Sequence, residues 1–180
     1  MLLHDIRTLL EQYRPEFDEE ALFRRYTLEF LRQHADFWQR SNLSGHLTGS
    51  AWVLHPEHDK ALLIHHRALD KWFQPGGHAD DTDASLIDTA RREASEECGL
   101  ENLQLLSDGV FDLDIHIIPA KKDVPEHLHY DVRFLFEAET ESLHGNSSEL
   151  RALKWVPLAK LAASNRVQQS VRRMALKSVG

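Results

Sequence analysis

One stretch, Gly76 to Leu100 (GGHADDTDASLIDTARREASEECGL), restricts this chain more than any other. Pro75 is followed by Gly76 and Gly77, which permit a tight turn and close approach of backbone to a ligand. A helix is expected next, from about Asp83 to Cys98, with Thr82 or Asp83 as its cap and Gly99 as its stop. At 3.6 residues per turn, Glu93, Glu96 and Glu97 project together. Leu86, Ile87, Ala90 and Ala94 form an apolar stripe roughly 80° around the helix from them. Such a helix lies on a sheet with its carboxylates at the lip of a cleft. Three carboxylates on one face repel unless water or a cation neutralises them. Hard divalent cations share oxygen ligands between protein carboxylates and substrate phosphates. Metal-assisted chemistry on a phosphorylated substrate is the expectation, set against the blander reading of a solvated acidic face.

The same residues resemble the Nudix box. Arg92, Glu93, Glu96, Glu97, Gly99 and Leu100 match its R-E-x-x-E-E-x-G-aliphatic half in full. The other half departs from the pattern. Gly77 lies one residue further from Arg92 than is usual, and the box's first Glu has no strict counterpart. A one-residue loop insertion with Asp83 as stand-in accounts for both. The resemblance implies an α/β Nudix-type α/β/α sandwich with a mixed sheet, over about Gly45 to Ala163. It also implies hydrolysis of a nucleoside diphosphate linked to another group, with Mg²⁺ or Mn²⁺ as cofactor. Glu93, Glu96 and Glu97 would be the metal ligands, and Arg92 would orient a catalytic Glu. Gly76 and Gly77 would line the substrate site with their backbone, and the acidic loop residue Glu149 would be a ligand or base. The general base stays open among Glu93, Glu96 and Glu149.

Composition narrows the alternatives. The 180 residues suit one domain with a sizeable core, plus at most a small appendage. A net charge of −8 does not draw in a polyanion at long range, so local cations must hold the substrate. No basic stripe with interleaved aromatics suggests a nucleic-acid groove. The single cysteine, Cys98, excludes an internal disulfide, fits a reducing cytoplasmic setting and reads as a small buried residue. Neither a signal peptide nor a membrane span is expected. The expected partner is a small nucleotide-type molecule.

Helices are expected over about Leu3–Tyr13, broken by Pro15, and Asp18–His34, capped by Asp18. The turn formers of SNLSGHLTGS place a boundary near Ser41, giving an N-terminal helical extension (1–40) and a Nudix-like body (41–180). The extension could shape the pocket, close it as a lid or form a homodimer contact. Strands are expected at Ala51–Leu54 and, as its hairpin partner, Ala61–Ile64. One or two more fall within Leu103–Ile118, then Leu128–Ala138 and the short Trp155–Val156. Helices over about Leu158–Ala163 and Arg166–Lys177 close the pattern.

The 12 histidines are a second signal. His127, His129 and Asp131 alternate, so they share one face of a strand, and so do Asp112, Asp114 and His116. Neighbouring strands could join the sets into a polar wall facing the acidic helix, or a second metal site of the kind transition metals favour. His78, directly after Gly77, is a further candidate beside His127 and His129 for substrate contact. Three rival functions are weighed. An isopentenyl diphosphate isomerase needs a cysteine upstream of the box, and Cys98 lies inside it. A ligand-sensing Nudix domain usually lacks box glutamates, which are present here. An RNA 5′-end pyrophosphohydrolase sits poorly with the acidic charge, although a triphosphorylated end needs little binding area.

Overall fold

The computed structural model describes residues 3–67, 69–121, 124–145 and 150–179, without the side chains of residues 3–5. Glu149 lies outside the described residues. Two helices lead, α1 (Leu3–Gln12) and α2 (Asp18–Gln33). Asp18 is not the cap of α2. Phe17 holds that position, and the Glu20 carboxylate reaches back to accept from the N–H groups of Glu16 and Phe17 at 3.2 and 3.1 Å. An acid one turn in thereby satisfies donors the first turn leaves without intrahelical partners.

The body begins with strand β1 (Gly45–Leu54), followed by β2 (Lys60–His66), β3 (Lys71–Phe73) and β4 (Gly76–His78). Helix α3 (Leu86–Cys98) crosses to β5 (Leu103–Leu105), β6 (Asp112–Ile118), β7 (His127–Ala138) and β8 (Leu150–Pro157). Helices α4 (Leu158–Ala163) and α5 (Gln169–Ser178) end the described chain. All eight strands join one mixed sheet. Its spine is the parallel pair β1–β7, in register from Gly45 opposite Leu128 to Leu54 opposite Glu137. The expected β1–β2 hairpin is present, with Leu54 opposite Ala61.

β1 starts six residues earlier than expected and absorbs Gly45–Ser50, which reads as turn in sequence. Those residues alternate: Leu47, Gly49 and Ala51 share one face, and His46, Thr48 and Ser50 the other. Pairing with β7 on one side and β4 on the other outweighs their local turn preference. Gly49 is required by packing, since a Cβ there would lie 2.7 Å from the Leu86 carbonyl oxygen of α3. β8 is likewise longer than the expected Trp155–Val156, because it pairs with β2 from Lys60 opposite Pro157 to His66 opposite Leu150.

Each face of the sheet carries its own core. Leu47, Ala51, Val53, Val132, Phe134 and Phe136 pack with Ala90, Ala94 and Cys98 of α3. Ile6, Leu10, Phe30, Leu31 and Phe37 from the N-terminal segment join that same cluster. On the opposite face Trp52, Leu54, Ala61 and Leu63 pack with Leu158, Leu161, Val171 and Met174 of α4 and α5. This is the expected α/β/α sandwich. Cys98 is fully buried, and burial pushes its thiol up, so it is an inert packing residue. No helix among the described residues is long and apolar enough to cross a membrane.

Candidate active site

Helix α3 is set in place by its own ends. The Ser85 hydroxyl, not Thr82 or Asp83, caps it by accepting from the Asp88 N–H at 3.2 Å. Gly99, at φ 70°, closes it in the left-handed conformation that glycine tolerates. Asp83 is thus free for another task. It is buried in the preceding loop, where it accepts from Arg92 Nε and Nη2 at 3.0 and 2.9 Å, from the Asp80 N–H at 2.9 Å and from the Thr89 hydroxyl at 2.9 Å. Burial alone would raise this carboxyl; Arg92 and the other donors outweigh it and hold Asp83 below the ordinary range. Loop support is the role expected of the residue standing in for the missing first Glu.

Arg92 carries the order onward. It donates to the His78 carbonyl at 2.9 Å, to Glu93 at 3.1 Å and to Glu96 at 3.3 Å. The loop, the strand β4 and two of the three glutamates are therefore indexed to one planar guanidinium. Glu97 is held from β4, where the Gly76 N–H donates to its Oε2 at 3.0 Å. Both glycines are required by close packing, since a Cβ on Gly77 would lie 2.5 Å from Glu93 Oε1 and one on Gly76 2.7 Å from Ser50 Cα. Burial raises the Glu93 carboxyl, with Arg92 only partly offsetting it and Glu96 adding to it.

Glu93 and Glu97 line a cleft of about 360 Å³ whose rim includes Gly76, Gly77 and His78. Glu96, with a 60% exposed side chain, stands outside it. The three carboxylates do not bring ligand atoms within 4.8 Å of one another; among the described residues two other groups do, His46–His127–His129 and His55–Glu57–Asp59. Two cleft carboxylates beside open space still suit a hard cation that takes its remaining ligands from water and phosphate.

The far wall is the polar end of β1, β6 and β7. The antiparallel β6–β7 register sets Asp114 opposite Asp131 and His116 opposite His129, so the two alternating sets do meet. Their carboxylates, however, are already engaged. Asp131 accepts from Thr48, Ser50, Gln74 and Arg133 at 2.7–3.1 Å. Asp112 and Asp114 face Arg133, and Asp112 also faces Arg173. The imidazoles are different. His46, His78, His116, His127 and His129 form a cluster with neighbouring ring centroids 4.8–5.6 Å apart. Burial lowers His46, pushes His78 down to about 3 and His129 to about 2, with Arg40 and neighbouring rings adding to this, which favours the neutral form of each. Among the described residues, the buried side-chain polar atoms without a hydrogen-bond partner are His46 Nε2, His129 Nε2 and Gln74 Oε1. The two histidine atoms belong to this wall, and Gln74 lines the same cleft beside it.

Sequence reading missed Arg40, Phe73, Gln74 and His46. Arg40 and Phe73 line the cleft with apolar Ile64, Leu69 and Ile118. No local signal marks Arg40, which precedes β1 and reaches the cleft only through the fold. His46 was hidden in the apparent turn segment; alternation with Thr48 and Ser50 was the signal that could have found it.

A curled mixed sheet between helical layers, with a glycine strand seated against an Arg-organised acidic helix, defines an α/β sandwich built around an acidic cleft. The NUDIX domain model matches residues 45–176, and the chain belongs to the Nudix family. A relative from Pectobacterium atrosepticum, the uncharacterized Nudix hydrolase NudL, is 36% identical over 94 residues. The match covers 51% of this chain and 44% of that protein's length. A Nudix-family hydrolase from Clostridium perfringens superposes with TM-score 0.55 at 24% identity, over 74% of this chain and 95% of the other. The C. elegans Ap4A hydrolase does so with 0.56 at 17%, over 73% and 93%. The NUDIX domain of Shewanella oneidensis NrtR, complexed with ADP ribose, gives 0.51 at 17%, over 84% and 97%. At these identities the structural likeness speaks to the fold.

Proposed function

We propose that the chain is a metal-dependent hydrolase of a nucleoside diphosphate linked to a second group. The observation that carries this is the seating of Glu93 and Glu97 against the Gly76–Gly77 strand in the cleft. Ap4A and ADP ribose, named for two of the structural neighbours, are both of this substrate class.

Glu93, Glu96 and Glu97 would hold Mg²⁺ or Mn²⁺. A bound divalent cation supplies charge neutralisation at the diphosphate and lowers the pKa of the attacking water. Arg92 acts as a positioning residue, since its contacts with Glu93 and Glu96 fix their orientation. The water's proton passes to one of Glu93, Glu96 or Glu149. Gly76 and Gly77 let the diphosphate approach the backbone, and Arg40 is the Lys or Arg side chain that lines the cleft among the described residues. Phe73, Ile64, Leu69 and Ile118 offer an apolar flank for a base or ring. His78 and His129 face the substrate from the rim and the opposite wall, with the His127 ring 5.3 Å from that of His129. Residues 41–180 form the catalytic body in this reading, and α1 and α2 brace it.

The test is phosphate release from ADP-ribose, dinucleoside polyphosphates, NADH, nucleotide sugars, nucleoside triphosphates and coenzyme A, each with Mg²⁺ and with Mn²⁺. A substrate hit is expected to lose roughly 10²-fold or more in kcat in Glu97→Gln, the scale of losing a group engaged in the transition state. The thermal midpoint should be retained. Undiminished turnover in Glu97→Gln rejects the mechanism. Silence across the panel by folded protein redirects the search to RNA 5′ ends or to ligand sensing.

A further inference from the structure

We infer that His46, His127 and His129 form a binding site for a transition-metal ion such as Zn²⁺, separate from the carboxylates of α3. One ring nitrogen from each lies within 4.8 Å of the other two. The residues come from two strands in parallel register, with His46 directly opposite His129. His127 and His129 are two residues apart and so share a face. Both partners of the spine of the sheet thus place imidazoles on one rigid surface.

The hydrogen bonds select which nitrogen is offered. His46 Nδ1 lies 3.5 Å from the Asn42 carbonyl oxygen, and His127 Nδ1 lies 2.9 Å from that of Pro125. A carbonyl only accepts, so each Nδ1 carries the proton and each Nε2 presents its lone pair. This carbonyl-backed arrangement is the one metal-bound histidines use to fix tautomer and ring orientation. The Nε2 atoms of His46 and His129 are buried without a partner, and His46 is only 2% exposed. Leaving such atoms unmatched is costly, and an ion would satisfy them together. Zinc–nitrogen bonds of about 2.0–2.1 Å put ligand nitrogens about 3.3 Å apart, so binding would draw the three rings closer together.

Three imidazole donors suit Zn²⁺, Ni²⁺ or Co²⁺ better than Mg²⁺. Three protein ligands leave a tetrahedral ion one open position. His129 lines the cleft, so that position is available to an anionic oxygen of a bound molecule. His55, Glu57 and Asp59 form the rival cluster, of which Glu57 and Asp59 are exposed.

The experiment uses untagged full-length protein, stripped with chelator and dialysed against buffered Zn²⁺, with metal content read by mass spectrometry. Co²⁺ is added in parallel and its visible ligand-field bands are recorded. One equivalent of Zn²⁺ is expected in the native protein, in Glu97→Gln and in His55→Ala. His127→Ala, on a partly exposed side chain, should weaken Zn²⁺ at least tenfold and change the Co²⁺ spectrum while the protein stays folded. His129→Gln should do the same and guards against a folding artefact in the first variant. Zn²⁺ retention unchanged in both variants, loss in His55→Ala or Glu97→Gln instead, or no retained Zn²⁺ in the native protein would each overturn the site. None of these readouts requires turnover, so the outcome is independent of the proposed hydrolysis.

Discussion

At the scale of the residue, the site is built on close approach. Gly77 has no side chain because the Glu93 carboxylate occupies the space a Cβ would need, 2.5 Å from Oε1 and 2.6 Å from Cδ. Gly77→Ala must push that carboxylate away from Arg92 and the cleft. A displacement of about 1 Å at a catalytic group costs on the order of 10²-fold in rate. The expected result is such a fall in kcat with a small change in thermal midpoint, read by steady-state kinetics and calorimetry. Unchanged kcat would remove Glu93 from the chemistry. Much of this was legible in the chain. The spacing of Arg92, Glu93, Glu96 and Glu97 is legible directly, and the loop position of Asp83 marks it as the stand-in for the missing Glu. The cap was misplaced because Thr82, Asp83 and Ser85 all have capping chemistry. Only the three-dimensional claim of Arg92 and Thr89 on Asp83 leaves Ser85 to the helix.

At the scale of the element, buried charge ties the second layer to the sheet. Arg173 of α5 donates to both oxygens of Asp112 at 2.9 Å and to the Leu113 carbonyl at 2.7 Å, and it reaches Glu19 of α2. Arg133, fully enclosed in β7, bridges Asp112, Asp114 and Asp131. Lys177 adds a bond to Glu20 at 2.7 Å, and Tyr13 donates to the same carboxylate. Arg173→Leu leaves Asp112, which is 0% exposed, short of a partner. Breaking a buried pair from one side costs about 3–5 kcal/mol. Urea unfolding should show that loss, and a loss below about 1 kcal/mol would mean the network is relaxed by water. The sequence announced the alternating aspartates and histidines but not their division of labour. Arg133 follows Asp131 at the same period, yet Arg173 arrives from 40 residues later, and no local pattern pairs it with Asp112.

For the whole molecule, the same network sets the response to acid. Burial alone would raise Asp114, but Arg133, aided by His116 and Arg173, holds its carboxyl at about 2 against an ordinary 3.8. The unfolded chain therefore takes up this proton first as pH falls. The stabilisation is fully present above about pH 4 and is lost as pH drops toward 2, a contribution of about 2 kcal/mol. Asp83 and Glu20 are also held low and act in the same direction. Urea midpoints at pH 7, 4 and 2.5 should fall less steeply for Asp114→Asn than for the native chain. Parallel curves would exclude Asp114 as an acid-sensitive element.

The sandwich followed from the family resemblance, and the sequence by itself determined the acidic helix, its glycine loop, and the helices and longer strands around them. These rest on local periodicity and on side chains whose spacing along one element sets their common face. Only the tertiary structure decided that a turn-rich segment becomes the sheet's central strand, because that depended on pairing with β7 some 80 residues on. It alone brought Arg40 to the cleft and divided the polar wall into engaged aspartates and unsatisfied imidazoles. Those outcomes depend on which distant group reaches a charge first, and on the burial that makes an unmatched polar atom costly.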